Sequence, residues 1–303
     1  MDVAVIGNVT LDIICQTVEE VPRYDSIAFE SSAVSPGGCG SNVAVGLCAL
    51  GVSTALIARV GNDVPYEIIT KFWHQVGLDD RYVRQVDGKT TGISVGLVDR
   101  EAQPRFIHTS GANATLTPQD IDVPILLEQG MRYLHIAGYF VLPGLLNSGL
   151  PGLLSTAQQN GVHTSLDVVR SPRMENPGPL WDCLPYLDIF LCNAHEGMRI
   201  TGKSEPGEIG RYIRSQGARS CIVKLGRDGC WLESQGYSGR IEGERVPTID
   251  TTGAGDAFAA GLLAGLVRGE DLKRACESGN RAGARIVTKL GAITGWLQKA
   301  HPG

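Results

Sequence analysis

Short apolar runs alternate with stretches of helical periodicity along most of this chain, and that alternation limits the available folds more than any other feature. The runs are Val3–Gly7, Thr54–Arg59, Tyr133–Ala137, His163–Asp167, Asp188–Cys192 and Ser220–Lys224. Between them the spacing predicts helices over Gly40–Leu50, Val64–Val76, Pro118–Glu128, Leu145–Gln159, Pro206–Ser215 and Leu272–Thr288. Strands alternating with helices imply a doubly wound α/β fold, with a mostly parallel sheet flanked by crossover helices. Such sheets bind ligands at the C-terminal edges of their strands. Asp12, Asn113, Asp167, Asn193 and Gly226 all fall at expected edges.

Two segments interrupt the rhythm. Ile13–Pro36 is mixed and polar. Gly88–Ser110 contains Gly92-Ile93-Ser94-Val95-Gly96-Leu97-Val98 and then Arg105-Phe106-Ile107-His108. Their alternation predicts antiparallel strands outside the main sheet. The expected division is a core of residues 1–12, 37–87 and 111–303 and a small β lid of residues 13–36 and 88–110. At 303 residues the chain can form one large α/β domain with such an insertion. A small sheet with one apolar face must bury it, over a substrate or against a second chain. Phe29, Ile93, Val95 and Leu97 are expected at that surface, which makes a homodimer through the lid an expectation.

Composition restricts the partners. The net charge is −5 with 19% charged residues, which argues against nucleic acid and against an acidic membrane. No run approaches the length of a membrane span, and no targeting segment is expected at the start. Eight cysteines are scattered without a C-x-x-C pair. Most lie in apolar runs, which reads as reduced core thiols in a cytoplasmic protein.

The densest chemical signal is Asp250-Thr251-Thr252-Gly253-Ala254-Gly255-Asp256. Gly253, Ala254 and Gly255 leave backbone N–H groups uncovered, and the stretch from Ala257 to Arg268 reads as a helix. A glycine-rich turn opening a helix is an anion site, because free N–H groups and the macrodipole point to one spot. Asp256 would repel a bound phosphate. It suits removal of a proton from a hydroxyl that attacks that phosphate. Asp in a first helical turn also complements the dipole anywhere. Against that simpler reading, the helix is apolar all round and so buried, and a spare carboxylate at its start is costly. No Gly-Lys-Ser/Thr follows, and Phe258 stands where a dinucleotide fingerprint needs its third Gly.

A second constellation lies near the start. Asp12, alone in an apolar strand, needs partners when buried, and neighbouring hydroxyls of a polyhydroxylated ligand supply them. Gly37-Gly38-Cys39-Gly40-Ser41-Asn42 opens another helix, where Asn42 offers a donor and an acceptor. Simpler readings are a tight loop and a helix-turn polar residue.

Together with Gly111-Ala112-Asn113, Asn193-Ala194-His195-Glu196 and Lys224-Leu225-Gly226-Arg227-Asp228-Gly229, these stretches resemble the PfkB (ribokinase-like) family of carbohydrate kinases. The similarity spans almost the whole chain. It implies an ATP-dependent kinase acting with Mg²⁺. Asp256 would be the catalytic base, and Gly253, Ala254 and Gly255 the anion hole. Asp12, Gly38, Asn42 and Asn113 would meet the substrate. Asn193 and Glu196 would act on the magnesium and phosphate side. Lys224, Leu225 and Gly226 would follow the nucleotide, with Asn280 beside adenine. The family often binds a monovalent cation such as K⁺, and Asp250, Thr252, Ile286, Lys289, Gly291 and Gly295 occupy the corresponding places.

Two departures bear on the acceptor. Ribokinases commonly carry Lys where Cys39 stands, and an acidic residue where this chain has Ala137-Gly138-Tyr139-Phe140. The latter stretch looks like nucleoside kinases of the same superfamily, whose aromatic surface favours a base. Arg105 is the one lid residue read as a candidate for holding a phosphosugar, which disfavours a phosphorylated acceptor. A small sugar is the expected acceptor and a nucleoside the alternative. His108 and His135 read as structural histidines, with a place facing the substrate from the lid as the alternative for His108, and His195 reads as a surface residue. A non-catalytic sugar or nucleotide sensor would be expected to lose Asp256, which is present.

Overall fold

The strands are β1 (Val3–Gly7), β2 (Thr10–Gln16), β3 (Ser31–Gly37), β4 (Thr54–Val60), β5 (Val83–Gln85), β6 (Gly92–Val98), β7 (Pro104–Thr109), β8 (Tyr133–Ala137), β9 (His163–Asp167), β10 (Ile189–Asn193), β11 (Ser220–Lys224), β12 (Cys230–Glu233) and β13 (Ser238–Ile241). They come from a computed structural model that describes residues 1–101, 104–146 and 149–297. Positions 102–103 of the expected lid and 147–148 of the expected Leu145–Gln159 helix lie outside the described residues.

One sheet has nine strands in the order β13-β12-β11-β10-β9-β8-β1-β4-β5. All its pairs are parallel except those made by β12 and β13. After β1 the chain runs outward through β4 and β5. It then crosses back to β8 and continues the other way. The crevice where the order reverses lies between β1 and β8, the place where such sheets take ligands. Both faces are covered. Val3 and Val5 of β1 enter one core with Val43, Leu47, Phe258 and Leu262, whereas Ala4 and Ile6 enter the other with Leu134, Leu154 and Phe190. That is why the strands read as unbroken apolar runs.

The expected helix after the Gly253 turn spans Ala254–Val267, with every residue from Ala257 to Gly265 buried. Small residues make this possible. A Cβ on Gly261 would meet Ala282 Cβ at 2.6 Å, and one on Gly46 would meet Ala260 Cβ at 2.8 Å. The Cys39–Ala49 and Leu272–Ile286 helices therefore pack closely on it.

The expected single helix over Pro118–Glu128 is instead a short turn at Pro118–Asp120 followed by a helix at Val123–Glu128. Pro124 lacks the N–H that a continuing helix needs, and Asp122 caps the new start by accepting from Ile125 N at 3.1 Å. Of Leu145–Gln159, the described helix begins at Gly149.

The two interrupting segments form a separate four-stranded sheet, β3-β2-β6-β7. It is not wholly antiparallel as expected, because its central pair β2 and β6 runs parallel. It also starts earlier, at Thr10, so Asp12 belongs to the small sheet and not to the edge of the large one.

Candidate active site

Two helix N-termini converge at the C-terminal edge of the large sheet. The first belongs to Cys39–Ala49. Its cap, Gly38, has φ of 85°, and a Cβ there would sit 2.6 Å from the Asn8 carbonyl oxygen. Only Gly accepts that approach at positive φ. Asn8 then anchors the helix start by accepting from Cys39 N through its side chain, 3.0 Å, and from Ser41 N through its backbone, 3.3 Å. The second belongs to Ala254–Val267, capped by Gly253 at φ 76° against Ala292.

Asp256 sits between these two ends. Its Oδ2 accepts from Asn42 Nδ2 at 2.8 Å. Burial pushes its carboxyl up to about 7. The Asn42 bond works against this, the Asp167 charge adds to it, and Lys224 and the Cys39 thiol oppose it. Among the described residues Asn42 Oδ1, buried, has no partner. A buried acceptor left unpaired beside Asp256 is a place for a ligand hydroxyl.

The first-turn amides of the Ala254–Val267 helix divide unequally. Ala254 N–H, expected in the anion hole, donates to the Thr251 carbonyl at 3.2 Å. Gly255 and Asp256 have no carbonyl to receive theirs, as helix geometry requires. Lys224 reinforces this spot, because its Nζ lies 3.2 Å from where a Gly255 Cβ would be. That ammonium bonds Asp167 at 2.8 and 2.6 Å. Burial opposes its charge, but Asp167 and Glu196 outweigh burial and raise its pKa. Burial also raises Asp167, against the pull of Lys224. Asp167 and the Cys39 thiol were legible only as an acid ending an apolar strand and a departure in a glycine loop. Neither signal gives a role.

Asn193 and Glu196 form a reciprocal cap on the Ala194–Thr201 helix. Glu196 N donates to Asn193 Oδ1 at 2.8 Å, and Asn193 N donates to Glu196 Oε2 at 2.7 Å. Burial pushes Glu196 up to about 7 despite Lys224. A cleft of about 600 Å³ runs past Lys224, Gly226 and Gly255 to Phe258, Asn280 and Val287, and neither Asn193 nor Glu196 lines it. Asn280 donates to the Ile241 and Glu242 carbonyls at 3.3 and 3.0 Å, which fixes the cleft wall. Leu225 shapes the same loop by its backbone, donating to the Gly229 carbonyl at 2.8 Å.

Asp12 faces the site from β2. It is buried, accepts from Thr10 Oγ1 at 2.6 Å, and burial pushes it up to about 6. Gly37 is necessary to it, since a Cβ there would lie 2.0 Å from Asp12 Oδ2.

Several expectations are corrected. Asn113 does not point at a substrate. Its Oδ1 accepts from Val9 N at 2.8 Å, and its Nδ2 donates to the Val9 and Ser110 carbonyls at 2.7 and 2.9 Å. That leaves the amide no free proton, so it splices the small sheet to β1. Tyr139 and Phe140, read as a surface for a base, are 0% exposed core residues. Arg105 lies in register with Leu97 on the far face and donates to the Val18 and Glu19 carbonyls, both at 2.7 Å. It is not placed to hold a phosphosugar. His135 is buried and neutral, lowered to about 3 by burial and Lys224. Its Nδ1 is 2.8 Å from Ser165 Oγ, while Nε2 has no partner. His195 is exposed.

The six residues expected around a monovalent cation are bonded within the protein. Asp250 accepts from Thr252 N and Oγ1 at 2.9 and 2.7 Å and from Gly291 N at 2.8 Å. The Ile286 and Gly295 carbonyls accept from Lys289 N and Arg285 Nε, both at 3.1 Å. The carboxylate thus ties the Thr252 turn to the loop at Gly291.

Helix amides beside Lys224, a carboxylate raised to about 7 and a buried acid on the small sheet suit a phosphotransferase that acts on a hydroxyl. Residues 1–299 match the family described as pfkB family carbohydrate kinase, and the chain belongs to that family of sugar kinases. It is 28% identical to the 2-dehydro-3-deoxygluconokinase of Bacillus subtilis (strain 168), over 88% of this chain and 85% of that one. It is 27% identical to the ribokinase of Staphylococcus aureus (strain COL), over 87% and 85%. A putative ribokinase II from E. coli, solved with ATP and Mg²⁺, superposes with a TM-score of 0.84 at 24% identity, over 97% and 95% of the chains, and shares the fold.

Proposed function

We propose that this kinase moves the γ-phosphoryl group of ATP to a hydroxyl of a small, unphosphorylated sugar, with Asp256 as general base. The observation that carries the reading is Asp256 itself, raised to about 7 and held by Asn42 beside two unpaired helix amides and Lys224. A base poised near working pH takes a proton most effectively. The Gly255 and Asp256 amides, the dipole and the Lys224 ammonium stabilise charge on the transferred group. Magnesium bound to ATP supplies the remaining countercharge. Glu196 and Asn193 suit it through water, since among the described residues no cluster of three or more His, Cys, Asp or Glu could hold a metal. A monovalent cation such as K⁺ belongs to the reading too, beside the loop of Asp250 and Gly291. The small sheet acts as a lid that keeps water from the phosphoryl group. The test is ADP release that depends on added sugar. Equal release with and without sugar rejects the reading.

Asp12 is assigned to the acceptor hydroxyls. Asp12→Ala removes a charged hydrogen-bond partner worth about 1.5–3 kcal/mol. Acceptor affinity should fall by one to two orders of magnitude or so, with ATP affinity unchanged by calorimetry. Loss of ATP binding with acceptor binding intact would reverse the two halves of the site.

The lid's outer face carries Val34, Ile13, Val95 and Ile107 in one row. Val34 is 44% exposed and Ile107 65%. We assign this face to a homodimer. Sedimentation at micromolar concentration should give a dimer, and Ile107→Glu a monomer. A wild-type monomer with full activity rules the dimer out. Eight unpaired cysteines suit a reducing cytoplasm, and no helix among the described residues is long and apolar enough to cross a membrane.

A further inference from the structure

The lid's inner face carries polar side chains beyond Asp12. Register places Asp12 opposite Ser35 on β3 and Ser94 on β6, and Ser94 opposite His108 on β7. Opposed residues share a face, so Ser35, Asp12, Ser94 and His108 form one row across all four strands. The β3 end of the row looks toward the catalytic end of the core, Ser94 is half-buried, and His108 at the other end is exposed. Ser35 Oγ lies 3.9 Å from where a Gly291 Cβ would be, and Gly291 N donates to Asp250. Among the described residues neither Ser94 Oγ nor the His108 ring has a hydrogen-bond partner in the protein. The next row outward is Ala33, Ile14, Gly96 and Phe106. There the Phe106 ring packs over Gly96 against Ile14, because a Gly96 Cβ would stand 2.8 Å from Phe106 Cε1 and 2.7 Å from Ile14 Cδ1. The face changes from polar to apolar within one row.

We infer that Ser94 and His108 are specificity-determining residues that hold the acceptor's hydroxyl or carboxylate groups farthest from Asp12, so that the acceptor is a free sugar or sugar acid polar along its whole length. This rests on the kinase reading and deepens it. Strands sit about 4.8 Å apart, so the Asp12 and His108 backbones are separated by about 10 Å. Side chains reaching inward shorten that gap to the length of a five- or six-carbon sugar. One carboxylate accepts from about two hydroxyls, and a sugar of that size has more to satisfy. A serine hydroxyl and an imidazole both donate and accept. A nucleoside would lay its base over this row and leave both groups covered without partners, which is unfavourable. Phe106, 43% exposed, is the surface a base would need.

The experiment measures sugar-dependent ADP release and, separately, calorimetric sugar binding. The acceptors are ribose, fructose, 2-keto-3-deoxygluconate, adenosine and inosine, tested on wild type, Ser94→Ala, His108→Ala, His108→Gln and Phe106→Ala. The expected result is that a free sugar or sugar acid is the best acceptor. His108→Ala and Ser94→Ala each raise its KM by about three- to tenfold with kcat and the KM for ATP unchanged. His108→Gln restores most of the loss, and Phe106→Ala changes KM less than about twofold. Turnover with unchanged KM in His108→Ala and Ser94→Ala overturns the assignment and leaves the kinase reading standing. So does a nucleoside preferred over every sugar and lost with Phe106→Ala. Sugar binding that His108→Ala weakens, without ADP release in the wild type, sinks the kinase reading and keeps the row. Neither binding nor release with any sugar overturns both.

Discussion

Asp256→Asn is expected to lower kcat by about 10²- to 10⁴-fold while ATP affinity stays nearly unchanged. Asn keeps a side-chain oxygen where Asp256 Oδ2 accepts from Asn42 Nδ2 at 2.8 Å, so the geometry survives and only the proton acceptor is lost. The same change should stabilise the fold, with a sign fixed by the carboxyl's raised pKa. Burial lifts Asp256 from 3.8 to about 7. Between those values the folded protein holds a proton that the unfolded chain releases, so this group's contribution falls as pH rises, and the full penalty is present above about 7. The variant should therefore melt above wild type at pH 8, by a few degrees for each kcal/mol or so relieved. The difference should vanish near pH 4. In wild type, kcat/KM should decline on the acid side with an apparent pKa near 7. Glu196, also near 7, and Asp12, near 6, contribute to the same limb. Wild-type turnover in the Asn variant would end the general-base assignment. A variant less stable than wild type at pH 8 would show that the carboxylate is not strained by burial.

Lys224→Met is expected to cost about 3–5 kcal/mol of stability, because it leaves Asp167 buried and charged without its partner. The side chains of the pair are only 13% and 6% exposed, and the ammonium meets both carboxylate oxygens. Lys224 borders the open cleft, so some water can reach the gap, which favours the lower end of the range. The deficit should shrink as pH falls from 7 to 5, since protonation neutralises the orphaned Asp167. Lys224→Met with Asp167→Asn should recover part of the loss, because both charges are then gone. Denaturant titration of the three variants checks this. An unchanged midpoint in the single variant would mean that the pair contributes nothing to the fold. Phosphoryl transfer should also slow, as the ammonium beside Gly255 is lost from the anion site.

The sequence by itself determined the layers of the molecule. Val3–Gly7, Tyr133–Ala137 and His163–Asp167 begin and end where expected, and the buried polar groups of the last two are paired, His135 Nδ1 with Ser165 Oγ and Thr164 Oγ1 with the Tyr186 carbonyl. The stretch after Gly253 is a buried helix because it is apolar all round. Asp256, Asn42 and Asp12 were legible as chemistry, because a charged or amide group in an apolar setting is costly unless it works. Edge elements were less legible. β5 and β13 are short and polar, and β3 is Ser31-Ser32-Ala33-Val34-Ser35-Pro36-Gly37, whose pairing with β2 comes from register more than from composition. What only the tertiary structure decided is where each polar group finds its partners. Asn113 and Asn42 are both asparagines near a turn. One has its whole amide engaged by Val9 and Ser110, while the other has a buried Oδ1 with no partner among the described residues. Tyr139 and Phe140 turned into the core instead of facing a ligand. Lys224 and Asp167 lie 57 residues apart in the chain yet share a proton-rich contact under Gly255. A residue's type states which bonds it can form, and local periodicity states which face it occupies. Which bonds remain free for a ligand depends on neighbours far away in sequence, and only the packed molecule brings those into reach.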